Sequence, residues 1–153
     1  ETDKRVFPVG RLDYDSTGVL IMTNDGEFTN LMIHPRYGIP KVYQVIVKGD
    51  FTEYHADLIR HGLKTDEEQF AKAGVSVLPK TQKNTTSVRI ELHEGKKREI
   101  RRMMEYLGFE VASLHRQSFG CVNDKGLAFG EYRKLKPKEI KQLREMAQHG
   151  NEK

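Results

Sequence analysis

Gly10-Arg11-Leu12-Asp13-Tyr14-Asp15-Ser16 places two carboxylates and an arginine behind a glycine. Glycine adopts torsions that residues with a Cβ resist, so a loop of this composition can present a carboxylate outward, and Asp13 is the candidate. The same residues also suit an ordinary surface turn, since Asp and Ser bond their own backbone. The flanks add a frame. Val6 to Val9 reads as an extended entry, because Pro8 biases Phe7 away from helix. Thr17 to Thr23, rich in Val, Leu and Ile and closed by Asn24-Asp25-Gly26, is predicted to form one buried strand that holds the loop still.

Beyond the loop, Phe28, Leu31 and Met32 recur at helical spacing up to Pro35. Residues 41–48 alternate, with Tyr43, Val45 and Val47 on the more apolar side, which predicts a strand. Thr52 is a credible N-cap for a helix ending near Gly62. A short strand is expected through Val75, Val77 and Leu78, and a half-buried one through Val88, Ile90 and Leu92.

Glu94-Gly95 turns into a basic segment read as helical. At 100° per residue Ile100, Met103, Met104 and Leu107 share an apolar face, Lys97 and Arg101 flank it, and Arg98 and Arg102 point away. After Gly108 an extended segment carries Leu114, Arg116 and Phe119. A last amphipathic helix follows Pro137 with Ile140, Leu143, Met146 and Ala147, and the final residues are expected to fray. The pattern predicts one α+β domain, with helices flanking a mixed, mainly antiparallel sheet.

A chain of 153 residues at 37% hydrophobic content suits one modest core. Without an apolar run of 18 residues or a signal-like start, no membrane span is expected, and one cysteine, Cys121, fits a reducing cytoplasm as a packing residue. Lys96, Lys97, Arg98, Arg101 and Arg102 against Glu99 account for the whole net charge of +4. A neutral body with one basic segment suits a polyanion held at a chosen place, although a solvated helix face has the same composition. The six histidines lack metal-ligand spacing, and there is no phosphate-cradling glycine loop or G-x-S-x-G elbow. Chemistry by a carboxylate, with no metal and no cofactor, is the reading that remains.

Three stretches together carry a resemblance: GRLDYDSTG with the following TNDGEF, Lys41 to Gly49, and Glu94-Gly95-Lys96-Lys97-Arg98-Glu99-Ile100-Arg101-Arg102-Met103. In order and spacing they resemble the catalytic domain of bacterial ribosomal pseudouridine synthases, in the branch of the small-subunit enzyme A and the large-subunit enzymes B, E and F. The similarity runs from about Val6 to Tyr132.

The resemblance implies isomerisation of a specific uridine in ribosomal RNA, with 23S RNA the expected substrate as for the B enzymes. Asp13 matches the essential aspartate, Tyr43 the active-site aromatic, Arg101 the basic partner of the aspartate and Ile100 the aliphatic wall. Arg11 matches a position that helps hold the uridine flipped out. Lys96, Lys97, Arg98, Arg102 and Arg116 are the RNA-binding candidates, and Asp15 is expected only to stabilise the turn. No obligate protein partner is implied, and a monomer is expected. The physics agrees: a target base must leave its stack to be reached, and a carboxylate kept ionised needs a neighbouring cation.

Two departures matter. The family's small RNA-binding domain and a first strand carrying Lys-Pro-x-Gly do not precede Glu1, so the chain, residues 1–153, reads as the catalytic domain without them. Arg98-Glu99 stands where many relatives carry His-Gln, a change expected to alter contacts to the RNA strand. An RNA-binding module without chemistry and an RNA hydrolase are the competing readings, the latter disfavoured because only Asp13 and Asp15 cluster.

Overall fold

The computed structural model describes residues 5–151, and the expected fraying of the last two residues lies outside them. In chain order the strands and helices are β1 (Phe7–Pro8), β2 (Thr17–Gly18), β3 (Met22–Thr23), α1 (Gly26–Ile33), β4 (Lys41–Lys48), α2 (Glu53–Arg60), β5 (Gly74–Val77), β6 (Thr85–Leu92), α3 (Glu99–Tyr106), β7 (Val111–Phe119), β8 (Val122–Asn123) and α4 (Pro137–Asn151). The architecture is the expected α+β one. A sheet runs β2-β7-β4-β6-β5, with β8 also on β7, and a separate pair joins β1 to β3. All pairings are antiparallel except that of β2 with β7, which is parallel.

The strands follow from period-two patterning. In β6 Thr86, Val88, Ile90 and Leu92 are buried, and in β4 Val45 and Val47 are fully buried. Helix starts follow from local chemistry: the Phe28 N–H donates to Asp25 Oδ1 at 3.1 Å to cap α1, and the Thr52 N–H donates to His55 Nδ1 at 3.0 Å at the start of α2.

The single expected core is two clusters. One packs α2 and α3 against the sheet through Ala56, Ile59, Ile100, Met103 and Met104. The other gathers Val9, Ile21, Phe28, Met32, Leu143 and Ala147 around α1 and α4. The strand β7 contributes Leu114 to the first and Phe119 to the second, which joins them.

The buried strand expected over Thr17–Thr23 is divided and largely uncovered, since Ile21 is buried whereas Leu20 and Met22 are exposed. Its first residues pair with His115 and Arg116 of β7, and its last pair with β1. Between them the Val19 N–H donates to the Arg116 carbonyl and the Val9 N–H to the Ile21 carbonyl. An uninterrupted apolar run carries no record of where the chain changes partners. The division makes β2 a short anchor at the exit of the Asp13 loop.

Candidate active site

Asp13 begins a tight turn in which the Ser16 N–H donates to the Asp13 carbonyl at 2.9 Å, leaving Tyr14 and Asp15 at its tip. Gly10, with φ +72°, supplies the left-handed torsion that starts the loop. The exit is pinned through Thr17, whose Oγ1 lies 2.7 Å from His115 Nδ1, while His115 Nε2 lies 2.7 Å from Asp124 Oδ2. Asp13 itself is about a third exposed.

Two arginines hold the turn, in roles that differ from the expected ones. Arg98 forms a two-pronged pair with Asp15 at 3.1 and 3.0 Å, and its Nη1 lies 3.8 Å from Asp13 Oδ2. Arg101 Nη2 donates to the Asp15 carbonyl at 2.8 Å and lies 3.4 Å from Asp15 Oδ1. The Asp13 partner expected in Arg101 is therefore Arg98, among the described residues, and Arg101 braces the backbone beside it. Arg98 does not point outward because it is not helical. It has φ +51° and stands just before α3, so the helical phase that aimed it at solvent does not reach it. Arg98 and then Arg101 lower the Asp15 carboxyl below its ordinary value, and Asp15 in return raises Arg98. Ser16 Oγ and Arg101 Nε, both on this wall, are buried without a hydrogen-bond partner among the described residues.

Tyr43 is half-buried against the first core cluster, and Ile100 is buried in it. Tyr43 and Gly18 are the Cα partners of Arg116 on opposite sides of β7, which puts the exit of the Asp13 loop about 10 Å from Tyr43 across two strand spacings. The sheet thus brings together the loop, the aromatic and α3.

The RNA-binding candidates divide. Arg116 is a correction: it is 3% exposed, its Nε and Nη2 donate to the Val19 carbonyl at 2.9 and 2.7 Å, and its guanidinium lies over Phe119. It fastens β7 to the segment after β2 and has no surface to offer RNA. Arg102 is tied to Glu68 and to the Lys97 carbonyl, and Lys96 donates to the Gln69 carbonyl at 3.0 Å. Both lie over Phe70. Lys97 and Arg11 are exposed and make no ion pair among the described residues. A hollow of about 360 Å³ lined by Lys97, Arg98, Arg101, Arg102 and Glu105 opens on this side. A larger cavity, about 1430 Å³, lies among residues 18–25 and 122–135 and does not include Asp13.

Two buried charged residues escaped the sequence reading. Lys41, at the start of β4, lies over Phe119 and 3.5 Å from the Ile39 carbonyl, and burial followed by the nearby Arg116 lowers its pKa. Its position on the Tyr43 face of the alternation was the available signal. Glu99, expected with Arg98 in place of His-Gln to alter contacts to the RNA strand, is 3% exposed. The Lys96 N–H donates to its Oε1 at 3.1 Å, and its Oε2 has no hydrogen-bond partner among the described residues. Burial, then the neighbouring Glu94, pushes its pKa from 4.5 up to about 7.

A carboxyl raised in this way favours the fold while protonated. Its contribution is complete below about pH 4.5 and is lost as pH rises through about 7. The amount is on the order of 3 kcal/mol. Glu99→Gln is therefore expected to melt several degrees above wild type at pH 8 and close to it at pH 4.5, in thermal melts across that range. Equal melting temperatures at pH 8 would contradict the burial argument.

The family described as RNA pseudouridylate synthase matches residues 1–106. Ribosomal large subunit pseudouridine synthase B of Bacillus subtilis is 41% identical over 148 residues, covering 96% of this chain and 61% of that protein. A putative chloroplastic ribosomal large subunit pseudouridine synthase, SVR1, of Arabidopsis thaliana is 35% identical over 141 residues, covering 91% of this chain and 34% of that protein. A crystal structure of a pseudouridylate synthase superimposes with a TM-score of 0.82 at 30% identity, over 90% of this chain and 59% of that one. The chain spans less than two thirds of the length of each of these three proteins. Because the match covers most of the chain, including the Asp13 loop and α3, the chain belongs to the RNA pseudouridylate synthase family.

Proposed function

We propose that this chain is a catalytic domain that isomerises a uridine of large-subunit ribosomal RNA to pseudouridine, with Asp13 as the catalytic carboxylate. The observation that carries the reading is the Asp13 turn clamped by Arg98 and Arg101, in a chain of this family whose B. subtilis relative is named for the large subunit. In the reaction the bond between uracil N1 and the sugar C1′ breaks, the base turns, a bond from C5 to C1′ forms, and the C5 hydrogen is replaced by one on N1. Composition is unchanged, and no external oxidant or reductant is consumed.

Each residue has a physical task. Asp13 supplies the carboxylate near the sugar and base, and Arg98 Nη1 stands 3.8 Å from its Oδ2. Arg101 and Asp15 position the turn. Tyr43 offers a stacking surface to the extruded uracil, Ile100 packs beneath as an apolar wall, and Arg11, exposed two residues before Asp13, helps keep the base out of its stack. Lys97 meets backbone phosphate. Lys97→Ala is expected to weaken RNA binding and lower the slope of log Kd against log salt by about 0.7–0.9. An unchanged slope would make Lys97 a solvated surface residue.

The deciding experiment incubates large-subunit and small-subunit ribosomal RNA fragments with the full-length protein and maps pseudouridine chemically. Modification at a defined large-subunit uridine is expected. Modification of small-subunit RNA alone would overturn the substrate, and RNA cleavage or binding without isomerisation would favour the hydrolase or binding-module readings.

A further inference from the structure

Tyr14 is 94% exposed and follows Asp13 directly. A large aromatic so open to water, at the tip of a turn held by two arginines, gains nothing for the fold from its ring, which costs exposed apolar area instead. Its ring is not unsupported. The Arg98 guanidinium lies 5.9 Å from its centroid, while the same guanidinium grips Asp15 through its edge. Arg98 reaches this position with φ +51°, a torsion that a side chain with a Cβ rarely adopts and that elsewhere marks functional segments. Two local irregularities, a left-handed arginine and an exposed tyrosine, therefore meet at the residue that follows Asp13. The arginine stands near one face of the ring without covering it, and at 94% exposure almost the whole ring is open to solvent.

We propose that Tyr14 is a stacking platform for a nucleobase adjacent to the target uridine in the RNA strand, a contact separate from the one made by Tyr43 to the target itself. The inference rests on the function proposed above. Single-stranded RNA is recognised largely by unstacked bases laid on aromatic side chains, and such stacks tolerate any base because every base has a π-face. Tyr43 is half-buried within the sheet wall, so it suits an extruded base. Tyr14, one residue from Asp13 but facing solvent, meets instead the strand that continues past the site. A base that leaves the helix loses stacking on both neighbours. A platform for one of those neighbours offsets part of that cost and favours a target whose flanking base is free to unstack.

The test is a binding cycle in the Asp13→Asn background, which keeps the RNA unmodified. Tyr14→Ala is expected to raise Kd about 10- to 100-fold, equivalent to about 1.4–2.7 kcal/mol, whereas Tyr14→Phe stays within about threefold of the parent. An abasic site at the nucleotide on one side of the target should weaken the parent by a similar factor. It should have almost no further effect on Tyr14→Ala, because the same stack would already be absent. Melting temperature should not move, since the side chain is 94% exposed.

Equal penalties from the abasic site in parent and Tyr14→Ala, at both flanking positions, would overturn the proposal. So would a loss in Tyr14→Phe as large as in Tyr14→Ala, which would make the hydroxyl the contact. Failure of the functional reading is seen separately, as absence of pseudouridine with wild-type protein. Abasic sites tiled along the bound fragment then still decide whether the stack exists.

Discussion

Asp13→Asn is expected to lower single-turnover isomerisation at saturating RNA by at least about a thousandfold, the scale associated with removing an essential catalytic group. Folding should be nearly untouched. The Asp13 side chain is about a third exposed, and its nearest cation is a side chain at 3.8 Å, so the change should cost less than about 1 kcal/mol. The informative control is Asp15→Asn. Asp15, not Asp13, takes the two-pronged pair with Arg98 and the brace from Arg101, so its replacement should loosen the turn and slow turnover more modestly. Comparable turnover by wild type and Asp13→Asn would sink the assignment. Loss of activity in Asp15→Asn alone would transfer the catalytic role to Asp15.

The second large effect is on stability. Gly18 has φ +127°, and a Cβ built on it would lie 2.2 Å from the Arg116 carbonyl oxygen and 2.6 Å from the Arg116 nitrogen. Backbone cannot swing aside as a flexible side chain can, so Gly18→Ala combines torsional strain with forced separation of β2 from β7. The expected cost is roughly 3 kcal/mol or more by urea unfolding. Gly126→Ala isolates the torsional part: Gly126 also has a positive φ, +81°, but nothing lies within 4 Å of its added Cβ, and roughly 1 kcal/mol is expected. Because β2 follows the Asp13 turn directly, the Gly18 variant should also lose turnover in its folded fraction. Similar costs for the two variants would show that the β2 to β7 contact is not what holds the loop exit.

Most of the secondary structure was legible because it is written in local terms. The alternation of residues 41–48 and 85–92, the Asp25 and Thr52 starts, and the stops at Pro35, Gly62 and Gly108 each act within a few residues. The motif order pointed to the Asp13 loop, the tyrosine strand and the basic helix as parts of one site, and α3 does meet that loop through Arg98 and Arg101. Tertiary structure alone decided where the long charged side chains end. Arg98 and Asp15 are 83 residues apart, and the left-handed torsion that joins them breaks the very helical phase used to aim Arg98 at solvent. Arg116, Lys41 and Glu99 are polar by composition yet buried, because neighbouring segments supply their partners: the Val19 carbonyl and Phe119 ring for Arg116, the Ile39 carbonyl and the same ring for Lys41, and the Lys96 N–H for Glu99. The apolar run from Thr17 to Thr23 divides because hydrophobicity does not name a pairing partner: its end pairs with β1 from just before the loop and its start with β7 from far along the chain, which leaves Leu20 and Met22 exposed.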